Sequence, residues 1–121
     1  MLKLIILCSY KDIQLYKRDT KNLVFSIDRT NASGCVSFNY LAPSLELLEL
    51  VKSGCSIDNY HELFRVELLS YEKQIGLSLI EDLSNQSFEI ILCSADVDAK
   101  NSHRIDVYDA LIARGMECEL Y

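Results

Sequence analysis

At 121 residues, half of them hydrophobic, with one Pro and four Gly, the chain has the composition of one globular domain, which excludes a disordered or collagen-like polymer. A formal net charge of −6 excludes a generally basic surface for coating nucleic acid, although a local basic site is compatible with it. No apolar run approaches the roughly 20 residues that span a bilayer, so no membrane partner is expected.

Leu2 to Cys8 reads as the first strand, with Ser9-Tyr10 at its carboxyl end. Its apolar run is too short for a signal peptide, and Lys11 and Asp12 stand where a small-residue cleavage site would lie. The five cysteines, Cys8, Cys35, Cys55, Cys93 and Cys118, form no Cys-x-x-Cys pair, which gives zinc and thioredoxin-like readings no support. Without a secretion signal, a reducing cytoplasm is the expected location.

Residues 11–21 are polar and charged and read as a connection or short helix. Asn22 to Asp28 alternates Leu23, Phe25 and Ile27 with polar neighbours, a second strand. Arg29 to Gly34 is turn-forming, and Cys35 to Leu41 reads as a short extended piece. Pro43 and Gly54 bracket a first helix, Pro43 to Ser53. Ser56 or Asp58 caps the next, in which Tyr60, Phe64, Leu68, Tyr71, Ile75, Leu79 and Leu83 step by three or four as one long core stripe that Gly76 would break or bend.

Phe88 to Cys93 is almost continuously apolar, as a strand buried on both faces should be. A polar loop follows, and Asn101-Ser102 supplies capping side chains for a helix carrying Ile105, Tyr108, Leu111 and Ile112. Gly115 closes that helix, and Met116 to Leu120 alternates like a half-exposed strand. This βαβ unit and the helical crossover before it predict a single α/β domain. Its mainly parallel sheet of about four strands would carry flanking helices and a Rossmann-like crevice at the carboxyl edge.

Several motifs fall in the order of a known family. Ser9-Tyr10 follows the first strand, Ser26-Ile27-Asp28-Arg29 the second, Leu41-Ala42-Pro43-Ser44 opens a helix and Lys52-Ser53-Gly54 closes it. Cys93, a polar loop and His103-Arg104 then open the last helix. In these motifs, over nearly its whole length, the chain resembles the bacterial family catalogued as domain of unknown function 488, whose signature is Cys-x-Glu followed by Cys-His-Arg. Ala95 stands in place of the family's Glu and Ser102 in place of its second Cys. The resemblance implies a divergent member with an α/β fold and a site at His103-Arg104. Any chemistry of the family's second Cys would be lost or altered here.

The residues themselves point to the same edge. Ser102, His103 and Arg104 at a helix start combine free N–H groups, a planar cationic fork and an imidazole, a setting for phosphate or carboxylate. A capped helix with an exposed Arg and a structural His explains the same letters. Arg29 is expected to converge on the same anion or to be an ordinary surface Arg. Ser9, Tyr10 and Ser94 are candidate crevice hydroxyls. His103 is the one candidate general acid or base. Cys8 and Cys93 read as small buried hydrophobes. Asp96 and Asp98 near a single His fit no metal-ligand spacing, and no Gly-x-Gly-x-x-Gly or Walker-type loop occurs, so no metal or cofactor is implied.

The leading expectation is a ligand-binding or enzyme-like domain for a small anionic or phosphate-bearing ligand, a nucleotide or nucleic acid end. The alternative is a non-catalytic inhibitor or accessory factor that meets a protein partner through Glu62, Glu67, Glu72, Glu81 and Asp82 on the long helix.

Overall fold

The computed structural model describes residues 4–16, 22–29 and 34–121, which build one parallel sheet of five strands. The strands are β1 (Ile5–Ser9), β2 (Asn22–Ser26), β3 (Val36–Ser37), β4 (Glu89–Ser94) and β5 (Cys118–Leu120), in the order β3-β2-β4-β1-β5. The fifth strand, beyond the four expected, is β3. It is a two-residue edge strand inside the Cys35 to Leu41 piece, held by Phe25 opposite Val36 and Ser26 opposite Ser37. The helices are α1 (Ile13–Tyr16), α2 (Leu45–Lys52), α3 (Ile57–Glu67), α4 (Tyr71–Asn85) and α5 (Arg104–Ala113). The start of the first expected strand, the end of the 11–21 connection and most of the Arg29 to Gly34 turn lie outside the described residues.

The central strands are unbroken apolar runs from Ile5 to Cys8 and from Ile90 to Cys93 because both of their faces are buried. Alternate side chains part to opposite sides. Ile5, Leu7, Ile90 and Leu92 join Phe64, Leu77, Ile80, Val107 and Leu111 of α3, α4 and α5 in the larger core. Ile6, Cys8, Val24, Ile91 and Cys93 face the other way, toward Ile13 of α1. Each such side chain, fully buried, contributes about 1.5–3 kcal/mol.

The long second helix of the sequence reading is two helices. Ser56 caps α3 by accepting the N–H of Asn59 at 3.1 Å, and Ser70 caps α4 by accepting the N–H of Lys73 at 3.4 Å. The break at Leu68–Ser70 resets the helical phase. Leu77 and Ile80 become the inward positions of α4, Leu79 turns outward, and Tyr71, expected in the core, is 83% exposed.

Gly76 does not break α4 but lets it approach the turn Asn39–Leu41. A Cβ on Gly76 would lie 2.7 Å from Tyr40 Cβ and 3.1 Å from Leu41 Cδ2. Gly76→Ala gains about 1 kcal/mol of helix propensity but overpacks a contact whose relief costs about 1–3 kcal/mol. The expected net result is a loss of about 1–2 kcal/mol in urea unfolding. An unchanged or raised midpoint would show that this contact yields freely.

Candidate functional site

A cavity of about 430 Å³ opens where the carboxyl ends of β2 and β4 meet the start of α2 and α3. One wall is apolar, built from Pro43, Leu48, Val51, Cys55 and Ile57. The rest of the lining is Asp28, Arg29, Tyr60, Asp96, Asn101 and His103. Leu48 and Val51 are only partly covered on this wall, and Leu47 is the residue of α2 that reaches the core. The dimensions suit a small molecule: such pockets run from about 300 to 1,000 Å³ and are mostly apolar with a few placed polar groups.

Asp28 is the best-supported acid in the cavity. Its Oδ2 accepts the N–H of Ala95 at 2.8 Å and the Tyr10 hydroxyl at 3.2 Å. Tyr10 also bonds the Ser26 hydroxyl at 2.6 Å, so the carboxylate is fixed from behind by the ends of β1, β2 and β4. Its Oδ1 lies 3.9 Å from His103 Nε2. Burial raises the Asp28 carboxyl above its ordinary range, against the lowering effect of the Ala95 and Tyr10 hydrogen bonds.

His103 is buried, and its Nε2 lies 2.7 Å from the Ile27 carbonyl. A carbonyl only accepts, so Nε2 carries the proton, and Nδ1, with no partner among the described residues, is an acceptor. The ring packs edge-on against Phe64, 5.0 Å between centroids. Burial pushes its pKa down to about 4, opposed by the hydrogen bond to Ile27. Near neutral pH His103 is therefore a neutral imidazole with Nδ1 open as an acceptor, which fits the base side of the acid-or-base role expected of it and not the acid side.

Arg29 stands at the mouth. Its Nε donates to the Pro43 carbonyl at 2.7 Å, which aligns one edge of the guanidinium with the chain entering α2. The remaining Nη groups have no partner among the described residues.

Arg104 has a different fate from the solvent-facing fork expected of it. It is fully buried, with Nε donating to a main-chain oxygen of Tyr121 at 2.9 Å and Nη2 to the Val97 carbonyl at 2.9 Å. Its Nη1 donates to the Asp96 carbonyl and, at 3.0 Å, to Ser94 Oγ. The fork is spent on holding the β4–α5 loop and the end of the chain. Ser94 and Ser102 bond each other at 2.7 Å within the same buried network. Ser9 turns to Asp12 at 3.2 Å, away from the cavity.

The start of α5 is closed as well. Ser102 Oγ accepts the N–H of Arg104 at 3.1 Å, the Ser102 carbonyl that of Ile105, and the His103 carbonyl that of Asp106. Asp106, buried in the first turn where the helix dipole favours an anion, is bonded by His61 Nδ1 at 2.6 Å. The first turn of α5 thus carries a carboxylate of its own, held by side chains of α3.

Of the residues singled out in the sequence, Arg29 and His103 reach the cavity, Tyr10 supports it from behind, and Ser9, Ser94, Ser102 and Arg104 belong to the buried framework. Asp28 was passed over, although it stands in the Ser26-Ile27-Asp28-Arg29 run at the end of a strand. Its position there was the available signal. Among the described residues no group of three or more His, Cys, Asp or Glu is placed to hold a metal ion, and no helix is long and apolar enough to cross a membrane.

Compared with models of known families, with curated proteins and with solved structures, the chain matches none. The functional reading rests on the cavity itself.

The acidic row of the sequence does not form one face, because α3 and α4 are separate. Glu67 accepts the N–H of Ser44 at 3.0 Å and also the Ser44 hydroxyl, and lies 3.9 Å from Lys73. Glu81 pairs with Arg114 at 3.0 Å. Both carboxylates are occupied in tying helices together.

Proposed function

We propose that the cavity binds a small ligand with one anionic group and an apolar, ring-sized body, of which a nucleoside monophosphate or a nucleic acid end is the best-fitting class. The carrying observation is that Arg29 and Asp28, consecutive residues leaving β2, line one cavity together with the apolar residues Pro43, Leu48, Val51 and Ile57. Arg29 would take the anionic group in a charge-assisted hydrogen bond. Asp28 and Nδ1 of His103 would accept from hydroxyl or N–H groups of the ligand, and Leu48, Val51 and Ile57 would cover its ring. The two carboxylates, Asp28 and Asp96, outnumber the single Arg29 on the lining, which favours one phosphate over a polyphosphate. If proton transfer accompanies binding, Asp28 is the group placed for it. The resemblance to domain of unknown function 488 supports a site at this edge, with its emphasis moved from His103-Arg104 to Asp28, Arg29 and His103. The fold alone does not assign the activity.

Thermal unfolding with nucleoside monophosphates, sugar phosphates and short oligonucleotides tests this. A ligand at one hundred times its Kd adds about 2.7 kcal/mol, a rise on the order of 10 °C. Arg29→Ala is expected to remove that shift while costing the free protein about 1 kcal/mol, one hydrogen bond. No shift across the panel, or a shift of equal size in Arg29→Ala, would refute the assignment.

A further inference from the structure

On the opposite face of the sheet from the larger core, Cys35 Sγ lies 3.7 Å from Cys93 Sγ. The two residues are far apart in sequence, and their meeting is a product of the fold alone. Cys93 is fully buried near the end of β4, in the middle of the sheet, and its thiol donates to the Phe25 carbonyl at 3.3 Å. Cys35 is partly exposed and leads into the two-residue edge strand β3. Cys8 lies beside Cys93 in register on β1, fully buried, with its thiol pushed up to about 11 by burial and therefore held protonated. The cluster thus has one partly exposed cysteine and one enclosed partner, the arrangement of an attacking and a resolving thiol.

We propose that Cys35 and Cys93 form an oxidation site that closes to an intramolecular disulfide on reaction with hydrogen peroxide. The thiolate of Cys35 attacks the peroxide oxygen, giving Cys35 sulfenic acid and releasing hydroxide, which takes up a proton to become water. The thiol of Cys93 then attacks the sulfenic sulfur; the S–S bond forms, the S–O bond breaks, and a second water leaves. Two thiols lose two electrons in total, and the peroxide gains them.

Closure requires the sulfurs to approach by about 1.7 Å, to a bond of about 2.05 Å. Cys35 is the partner able to make that movement. Gly34 before it has a φ of +88° with open space around it, and among the described residues the two-residue β3 pairs with Phe25 and Ser26 of β2. Cys93 is fixed by strands on both sides.

The test is intact-mass spectrometry and non-reducing peptide mapping of the monomer after treatment with a small excess of hydrogen peroxide. The wild type is expected to lose a pair of hydrogens, with a Cys35–Cys93 linked peptide that dithiothreitol releases. Cys118→Ser is expected to form the same link. Cys35→Ser, at a partly exposed position that the fold tolerates, is expected to lose it. Oxygen uptake without the link, a link between other cysteines, or persistence of the mass loss in Cys35→Ser would overturn the proposal. This readout does not involve the cavity, so it stands or fails separately from the ligand reading.

Discussion

Arg104→Ala is expected to cost about 3–5 kcal/mol and lower the melting temperature by on the order of 10–20 °C. The substitution removes a buried guanidinium and leaves the carbonyls of Asp96 and Val97, the Ser94 hydroxyl and a Tyr121 main-chain oxygen without the donor they share. The loss exceeds that of an ordinary hydrogen bond because a fully buried side chain is removed, which leaves a cavity, and four hydrogen bonds go with it, one of them to the buried Ser94 hydroxyl and three to part-buried main-chain oxygens. Arg104→Lys keeps the charge but cannot span acceptors on two sides, and should recover only a minor part of the stability. Amide exchange in residues 95–98 should quicken in both variants, since that loop hangs on the guanidinium. Differential scanning calorimetry would decide the matter, and a loss below about 1 kcal/mol would show that the network is redundant.

The second large effect is the response to acid. The pKa of His103 is about 4 in the folded chain against an ordinary value of 6.5, so between those values the unfolded chain holds a proton that the folded one does not. Stability from this group is complete above about pH 6.5, falls as pH drops toward 4, and is level below that. The full span corresponds to about 3 kcal/mol, at about 1.4 kcal/mol per pH unit. Asp28 and Asp106 act in the opposite sense. Burial raises both carboxyls, so they take up protons in the folded state first and add stability as pH falls. The effect of His103 therefore emerges as the difference between the wild type and His103→Asn, which retains an N–H for the Ile27 carbonyl but does not titrate. Urea unfolding from pH 4 to 7 should show a steeper loss in the wild type. Parallel curves would mean that the folded protein accommodates the protonated imidazole.

The same two residues divide what could be read in the letters from what could not. The strands were legible because burial on both faces demands unbroken apolar runs, as in Ile5 to Cys8 and Ile90 to Cys93. Helix ends were legible where a side chain acts on its own neighbours, as with Ser56 at α3 and Gly115, whose φ of +83° ends α5. Ser70 has the same local signature, but the continuous stripe from Tyr60 to Leu83 masked it. The apolar residues kept their period while the chain stopped being one helix.

Arg104 could not be placed from the sequence. Three of its partners are main-chain oxygens, which every residue possesses, and one of those belongs to Tyr121, brought back by β5. An arginine before an amphipathic helix looks the same whether it faces water or fills the interior. His103 beside it was legible as special but not as neutral, because its pKa depends on burial and on a carbonyl from a strand far away in the sequence.

By itself, then, the sequence determined a parallel α/β domain and the sheet edge at which its polar residues gather, since both follow from periodicity and from turns that act locally. The tertiary structure alone decided which of those residues face the cavity. Asp28, Arg29 and His103 do so because of the packing of α2 and α3 over the ends of β2 and β4, and the meeting of Cys35 with Cys93 has the same origin. Such contacts join positions distant in the chain, and a one-dimensional pattern carries no term for them.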